Sequence, residues 1–215
     1  MTEVFTNVIG DVAELRALYR EPSALVQTKK VARIDDVTRR FVAGSPFFLL
    51  ATADAEGNCD VSPRGGPPGF VHVLDERRLA IPDLSGNNLL DSLSNTVANP
   101  HVGLLFVMPG RDETLRVEGS ALLTTDANLL ARWDDELRTP RLAVVVEVNT
   151  LFIHCAKSFR RGRVWDPVSW DELIAPDNCE MVVEQLGLDV AAGDLRAGLE
   201  TNYARDLAND RPDRP

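Results

Sequence analysis

The sequence predicts a mainly β domain flanked by helices, and more narrowly a small closed barrel. Three observations lead there. Between Phe47 and Val148 the apolar residues alternate or fall in short runs of strand length, richest in β-branched residues at Leu142 to Val148. Clusters of Gly, Pro, Asn and Asp, such as Asp54 to Asn58 and Pro109-Gly110, separate those runs at turn spacing. Helical spacing is mostly confined to the two ends of the chain, so six or so strands with few helices between them favour a barrel over a parallel doubly wound sheet.

The elements follow in order. Asp11 to Tyr19 has apolar residues at helical spacing behind an acidic N-cap candidate, Pro22-Ser23 restarts a second short helix, and Asp35 to Val42 forms a third, stopped by Gly44 and Ser45-Pro46. These helices pack against a barrel or a second subunit. Phe47 to Thr52 is a buried strand and Cys59 to Pro63 its return. Gly65, Gly66, Pro67, Pro68 and Gly69 then interrupt any ladder before Phe70 to Val73, and a further strand runs from Arg78 to Ile81. After the polar loop Asp83 to Asn88, Leu89, Leu90, Leu93 and Val97 recur at helical spacing until Asn99-Pro100. Val102 to Met108 is a strand. Glu113 to Thr125 is a long one, with Thr114, Arg116 and Glu118 on one face and Leu115 and Val117 on the other. Asp126 to Leu137 is expected to be helical, Leu142 to Val148 a central strand, and Glu180 to Leu186 and Asp189 to Leu207 helices before a polar tail.

Composition excludes several classes of function. The 215 residues carry 23 basic and 33 acidic side chains, a net charge of -10 that repels polyanions, so nucleic acid is not expected as a partner. A small anionic ligand must then be met by a local basic cluster. No apolar run approaches the roughly 18 residues of a membrane span, and the N-terminus lacks a secretory pattern. Cys59, Cys155 and Cys179 are too widely spaced for a disulfide framework, which places the chain in a reducing cytoplasm. No internal repeat, Walker loop or GxGxxG is present. The three histidines, His72, His101 and His154, have no metal-ligand spacing, so no metal is expected. His154-Cys155 resembles a base beside a nucleophile, but adjacent strand residues point to opposite faces.

Chemistry hard to explain as packing gathers in three polar loops. The pieces are Val61-Ser62-Pro63-Arg64-Gly65-Gly66, Ile81-Pro82-Asp83-Leu84-Ser85-Gly86-Asn87-Asn88, and Asn99-Pro100-His101-Val102-Gly103-Leu104-Leu105-Phe106. Each has a bland reading. Arg64 can be a solvated strand end, and Asn87-Asn88 a helix cap that binds nothing. Trp165, after Arg160, Arg161 and Arg163, either stacks on an aromatic ligand or closes the barrel.

Taken together, these phrases resemble the flavin-binding split barrels related to pyridoxamine phosphate oxidase, in particular a branch of FMN-dependent enzymes. The matching segments are Leu50-Ala51-Thr52 with Asp54 and Gly57, Ser62-Pro63-Arg64-Gly65, Gly69-Phe70, Ile81-Pro82-Asp83, and Gly86-Asn87-Asn88. They continue with Asn99-Pro100, Gly103-Leu104-Leu105-Phe106, Pro109-Gly110, Thr114-Leu115-Arg116-Val117, and His154-Cys155-Ala156-Lys157 before Trp165. Their order and spacing carry the likeness over roughly residues 40 to 166. The resemblance implies a six-stranded, Greek-key-like split β-barrel over 45–166, with an N-terminal helical segment, 1–44, packed on it and a C-terminal helical extension, 167–215. It also implies a homodimer with FMN at the subunit interface.

Carried over residue by residue, the resemblance lays Ser62, Pro63, Arg64 and Gly65 along the flavin. Ile81, Pro82, Asp83, Asn87 and Asn88 wrap the ribityl chain and phosphate, Thr114 and Arg116 face the cleft from across the interface, and Lys157 and Trp165 belong to a closing segment. Relatives often place a basic residue at the start of the helix after the polar loop. This chain has Leu89 there, so the phosphate cation is expected from Arg64, Arg116 or Lys157, aided by helix N-terminal amides and by Asn87 and Asn88. The implied activity is an FMN-dependent oxidoreductase acting on a small organic substrate, with the flavin itself doing the redox chemistry. The alternative is a binding or sensing protein that holds flavin, a deazaflavin or haem on the same barrel without turnover.

Overall fold

The computed structural model describes residues 5–172 and 176–212. Two compact units divide the chain, one ending at Val31 and the other beginning at Ala32. In the first, α1 (Val12–Ala17) starts where expected, the Asp11 carboxylate accepting from the Glu14 N–H. A second short helix, α2 (Ala24–Thr28), follows Ser23, and neither helix buries a side chain.

The second unit is a single antiparallel sheet with helices against it. Helix α3 (Asp36–Gly44) is capped by Asp35, and its Arg39 guanidinium donates to the Val73 carbonyl at 3.0 Å. Seven strands follow: β1 (Phe47–Ala53), β2 (Cys59–Gly65), β3 (His72–Val73), β4 (Arg78–Pro82), β5 (His101–Val107), β6 (Thr114–Thr124) and β7 (Ala143–His154). They pair in the order β2-β1-β5-β6-β7-β4-β3, leaving β2 and β3 at the edges. An antiparallel sheet with flanking helices fits the expected split barrel, but it has seven strands rather than six, and its edge strands are not bonded to one another, so the sheet is not closed. Phe70 and Val71, expected in a strand, lie buried ahead of the two-residue β3. Pro63 is tolerated within β2 because that strand is an edge.

One face of the sheet is the core. Phe48 lies across from Phe106, which lies across from Leu115, and Leu50, Leu104 and Val117 form the next row. The Phe48 and Phe106 rings are 5.0 Å apart, and Trp133 is fully buried, its indole donating to the Phe70 carbonyl at 2.8 Å. Where a central strand ending at Val148 was expected, β7 runs unbroken for 12 residues, to His154. Its register slips at Glu118/Gly119, where Asn149 is the extra residue of a bulge. Gly119 permits that close approach, since a Cβ there would lie 2.2 Å from the Glu147 oxygen.

The remaining helices are α4 (Asp91–Ala98), α5 (Ala127–Leu130), α6 (Lys157–Arg161), α7 (Asn178–Leu186) and α8 (Ala192–Asn209). α4 begins at Asp91 rather than Leu89. The helix expected through Leu137 ends early, in a single 3₁₀ turn over Ala131–Trp133. Asp134, Asp135 and Glu136 would load its C-terminal end with charge of the wrong sign. The basic patch near Arg160 turns out to be the end of α6.

Candidate functional site

β2 builds one wall of the site because its side chains alternate. Asp60, Ser62 and Arg64 continue the core-facing rows, while Val61, Pro63 and Gly65 take the other face. A polar row facing inward needs polar partners, and α4 supplies them. Ser62 and Ser92 share a hydrogen bond at 3.1 Å, and the Arg64 Nη2 donates to the Ser92 Oγ at 2.9 Å. Next to them the Asp60 carboxylate accepts from Thr52 at 2.5 Å and from the Asn95 amide at 2.8 Å. Ser92 and Asn95, three residues apart, lie on one side of α4, so one helical face is stitched to one strand.

Between β2, the start of α4 and the loop from Pro82 to Leu90 lies a cleft of about 430 Å³, a size that suits a small organic ligand. Ser62, Pro63, Arg64, Gly65, Pro82, Asp83, Asn87 and Asn88, all expected at the site, line it together. Ile81 does not, being 3% exposed with its side chain in the core. Residues that the sequence reading missed complete the walls, chiefly Asp60, Phe70, Ser92 and Leu93. The readable signal for Asp60 and Ser92 was the inward polar row of β2, which obliges a polar helix face opposite.

The loop is strained. Leu90 holds a φ of 65°, a left-handed backbone that costs such a residue about 1–2 kcal/mol, while Asn88, at 59°, is in a conformation asparagine tolerates. Leu90 is the N-cap of α4 and offers no side-chain acceptor, so the first amides of α4 have no cap. Leu89 lies in this loop rather than in the helix and is 67% exposed.

Electrostatically, the cleft holds Asp60, Asp83 and Asp91, and Arg64 is the sole cation among its described lining residues. Burial pushes the Asp83 carboxyl above the usual aspartate range, against the pull of the Arg64 and Arg141 guanidinium groups, and Asp210 pushes the same way as burial. Arg64 is placed at the N-terminal end of α4, whose first turn also carries Asp91. Its Nε is buried without a hydrogen-bond partner. An orphaned guanidinium N–H beside uncapped helix amides fits an anionic group such as a phosphate.

The other expected site residues lie elsewhere. Arg116 stands in the row Pro63, Leu49, Leu105, Arg116, Phe152 on the outer sheet face, three strand spacings or roughly 14 Å from Pro63. It forms an ion pair with Glu118 and lies 5.7 Å over the Phe152 ring. Thr114 is buried on the same strand, between Val107 and His154. Lys157 opens α6 and is exposed. The Trp165 indole donates to the Arg111 carbonyl at 2.7 Å and packs on Phe159 with centroids 5.8 Å apart, tying α6 to the β5–β6 turn. None of these four lines the cleft of its own chain. Among the described residues no cluster of His, Cys, Asp and Glu could hold a metal ion, and no helix is long and apolar enough to cross a membrane.

The family profile for pyridoxamine 5'-phosphate oxidase matches residues 34–155, more than half of the chain. The chain belongs to that family. The matched region of this pyridoxamine 5'-phosphate oxidase relative runs from Ile34 through β7 and contains the whole cleft. No curated protein matches it in sequence. Among solved structures, HupZ of Group A Streptococcus is 16% identical, with 56% of this chain and 93% of that one covered and a TM-score of 0.46. An FMN-binding protein from Syntrophomonas wolfei is 11% identical, covering 54% and 84%, with a TM-score of 0.42. The FAD-binding protein from Mycobacterium smegmatis is 15% identical, covering 58% and 97%, with a TM-score of 0.39. These likenesses are distant, and nothing about ligand or chemistry follows from them.

Proposed function

We propose that this chain is an FMN-dependent oxidoreductase of the pyridoxamine 5'-phosphate oxidase class, working as a cytoplasmic homodimer on a small organic substrate. The observation that carries the reading is Arg64, whose buried Nε lacks a partner while its Nη2 is pinned to Ser92 at the mouth of an uncapped helix. Arg64 and the first amides of α4 would hold the phosphate, helped by the side chains of Asn87 and Asn88. Ser62, Pro63 and Gly65 would flank the ring. Bound FMN supplies hydride transfer, and the chain contributes orientation and control of access.

The homodimer is supported by the outer sheet face. Phe47, Leu49, Ala51 and Leu105 are half-buried there, and Val61 is 62% exposed. Val61 and Pro63 line the cleft as well as this face, so a second copy seated on it would border the cleft. The cations such a copy would add are the exposed Arg116 and Lys157, which a single chain does not place there. The pairing would complete the split barrel expected of the family.

Purifying the full chain, releasing its chromophore by heat and weighing it tests the cofactor. FMN, with flavin absorbance that bleaches under anaerobic NADPH, is the expected result. A Soret band or the mass of a deazaflavin would move the reading to another ligand, and a colourless protein that takes up no FMN would end it. Arg64→Ala is expected to weaken FMN binding by about tenfold or more, as loss of a charge-assisted hydrogen bond requires.

A further inference from the structure

Behind the strained loop lies a second cavity, of about 440 Å³, with Asp210 in its wall. Asp210 closes α8, 125 positions along the chain from the residue it contacts in the loop. Its carboxylate accepts the Ser85 N–H at 2.9 Å, and its main-chain carbonyl accepts the Arg138 N–H at 3.0 Å. The Asp83 N–H donates to the Leu142 carbonyl at 3.0 Å, so the loop is fastened at two successive points, once to the segment before β7 and once to the end of α8. Asp210 and Arg138 line the second cavity and not the cofactor cleft. The fastening therefore acts from the side away from the ligand.

The loop needs it. Its local support includes the Leu89 N–H donating to the Asn87 side chain at 3.0 Å, yet it holds a leucine, Leu90, in left-handed backbone. A strained segment persists only when its surroundings over-determine it. The neighbouring carboxylate Asp206 meets the Arg205 Nε at 3.2 Å, whereas it is Asp210 that accepts from the loop.

We propose that Asp210 is a positioning residue for the cofactor cleft: its carboxylate latches the Asp83–Leu90 loop from behind and sets the geometry in which the loop and the α4 N-terminus receive an anion. The proposal rests on the reading of the cleft as an FMN site. It gives the C-terminal helix a part in a site from which it is remote in sequence.

The test compares full-length wild type with Asp210→Ala and Asp210→Asn, by FMN titration and by amide hydrogen exchange of the flavin-free proteins. Asparagine keeps an accepting oxygen at the same place and alanine does not. Asp210→Ala is expected to weaken FMN binding by roughly three- to tenfold and to speed exchange at Ser85, with little change in the melting temperature of the flavin-free chain. Asp210→Asn is expected to stay within roughly twofold of wild type. Unchanged or tighter FMN binding in Asp210→Ala overturns the latch, tighter binding meaning that the carboxylate competes with the phosphate. Equal losses in both variants overturn it too, since charge rather than the hydrogen bond would then matter. If wild type takes up no FMN, the reading of the cleft fails while Ser85 exchange still decides the latch: unchanged exchange in Asp210→Ala overturns it.

Discussion

Asp83 shows how one side chain in the cleft is governed by its surroundings rather than its type. Burial raises its carboxyl despite Arg64 and Arg141. A carboxyl whose folded value lies above its unfolded value of about 3.9 holds its proton more tightly in the fold. It supports the fold most below that unfolded value, and the support fades as pH rises through the folded value. Asp83→Asn removes the titration, so the variant's melting temperature is expected to gain on wild type as pH goes from about 4 to neutrality; a gap that stays flat or shrinks would remove Asp83 from this account. Gly119 is governed by space instead. In Gly119→Ala the new Cβ would sit 2.2 Å from the Glu147 oxygen, so the bulge must shift, and a loss of about 1–3 kcal/mol is expected in chemical denaturation.

At the scale of elements, the join between β2 and α4 positions two walls of the cleft. The strand presents Asp60, Ser62 and Arg64 at a period of two, and the helix answers with Ser92 and Asn95. The Asn95 amide donates to the Asp60 carboxylate and also to the Thr52 hydroxyl, at 3.2 Å. Asn95→Ala leaves a part-buried carboxylate short of a donor and is expected to cost about 1–3 kcal/mol in urea unfolding, with weaker FMN binding because α4 loses its seating. Unchanged stability would mean that water replaces the amide and that the helix is held by its apolar contacts, such as Leu93, alone.

The whole molecule leaves one sheet face underused. Its inner face carries the apolar core and, along β2, the polar row of the cleft, whereas the outer face keeps Leu49 and Leu105 half-exposed beside Val61 and Pro63. If that face is where two copies meet, a charge at its centre must separate them. Leu105→Glu is expected to shift the chain from dimer to monomer in light scattering and to lose FMN with it, because the partner's cations leave the cleft. A variant that remains dimeric and yellow would place the interface elsewhere.

Local pattern alone determined a good deal. Turn chemistry and alternation located nearly every strand from Phe47 to Val148, and the acidic N-cap at Asp11 announced the helix it caps. Motif order located the residues of the cleft from Ser62 to Gly65 and from Pro82 to Asn88. These features are legible because period, capping and turn geometry depend on neighbours in the chain. Only the tertiary structure decided that α4 starts two residues later than its apolar spacing suggests, that β7 continues through a bulge, that Arg116 stands on the face opposite the cleft, and that Asp210 reaches Ser85. Each of those depends on which distant segments come into register, and that is settled by packing and hydrogen-bond satisfaction across the sheet, which no local window contains.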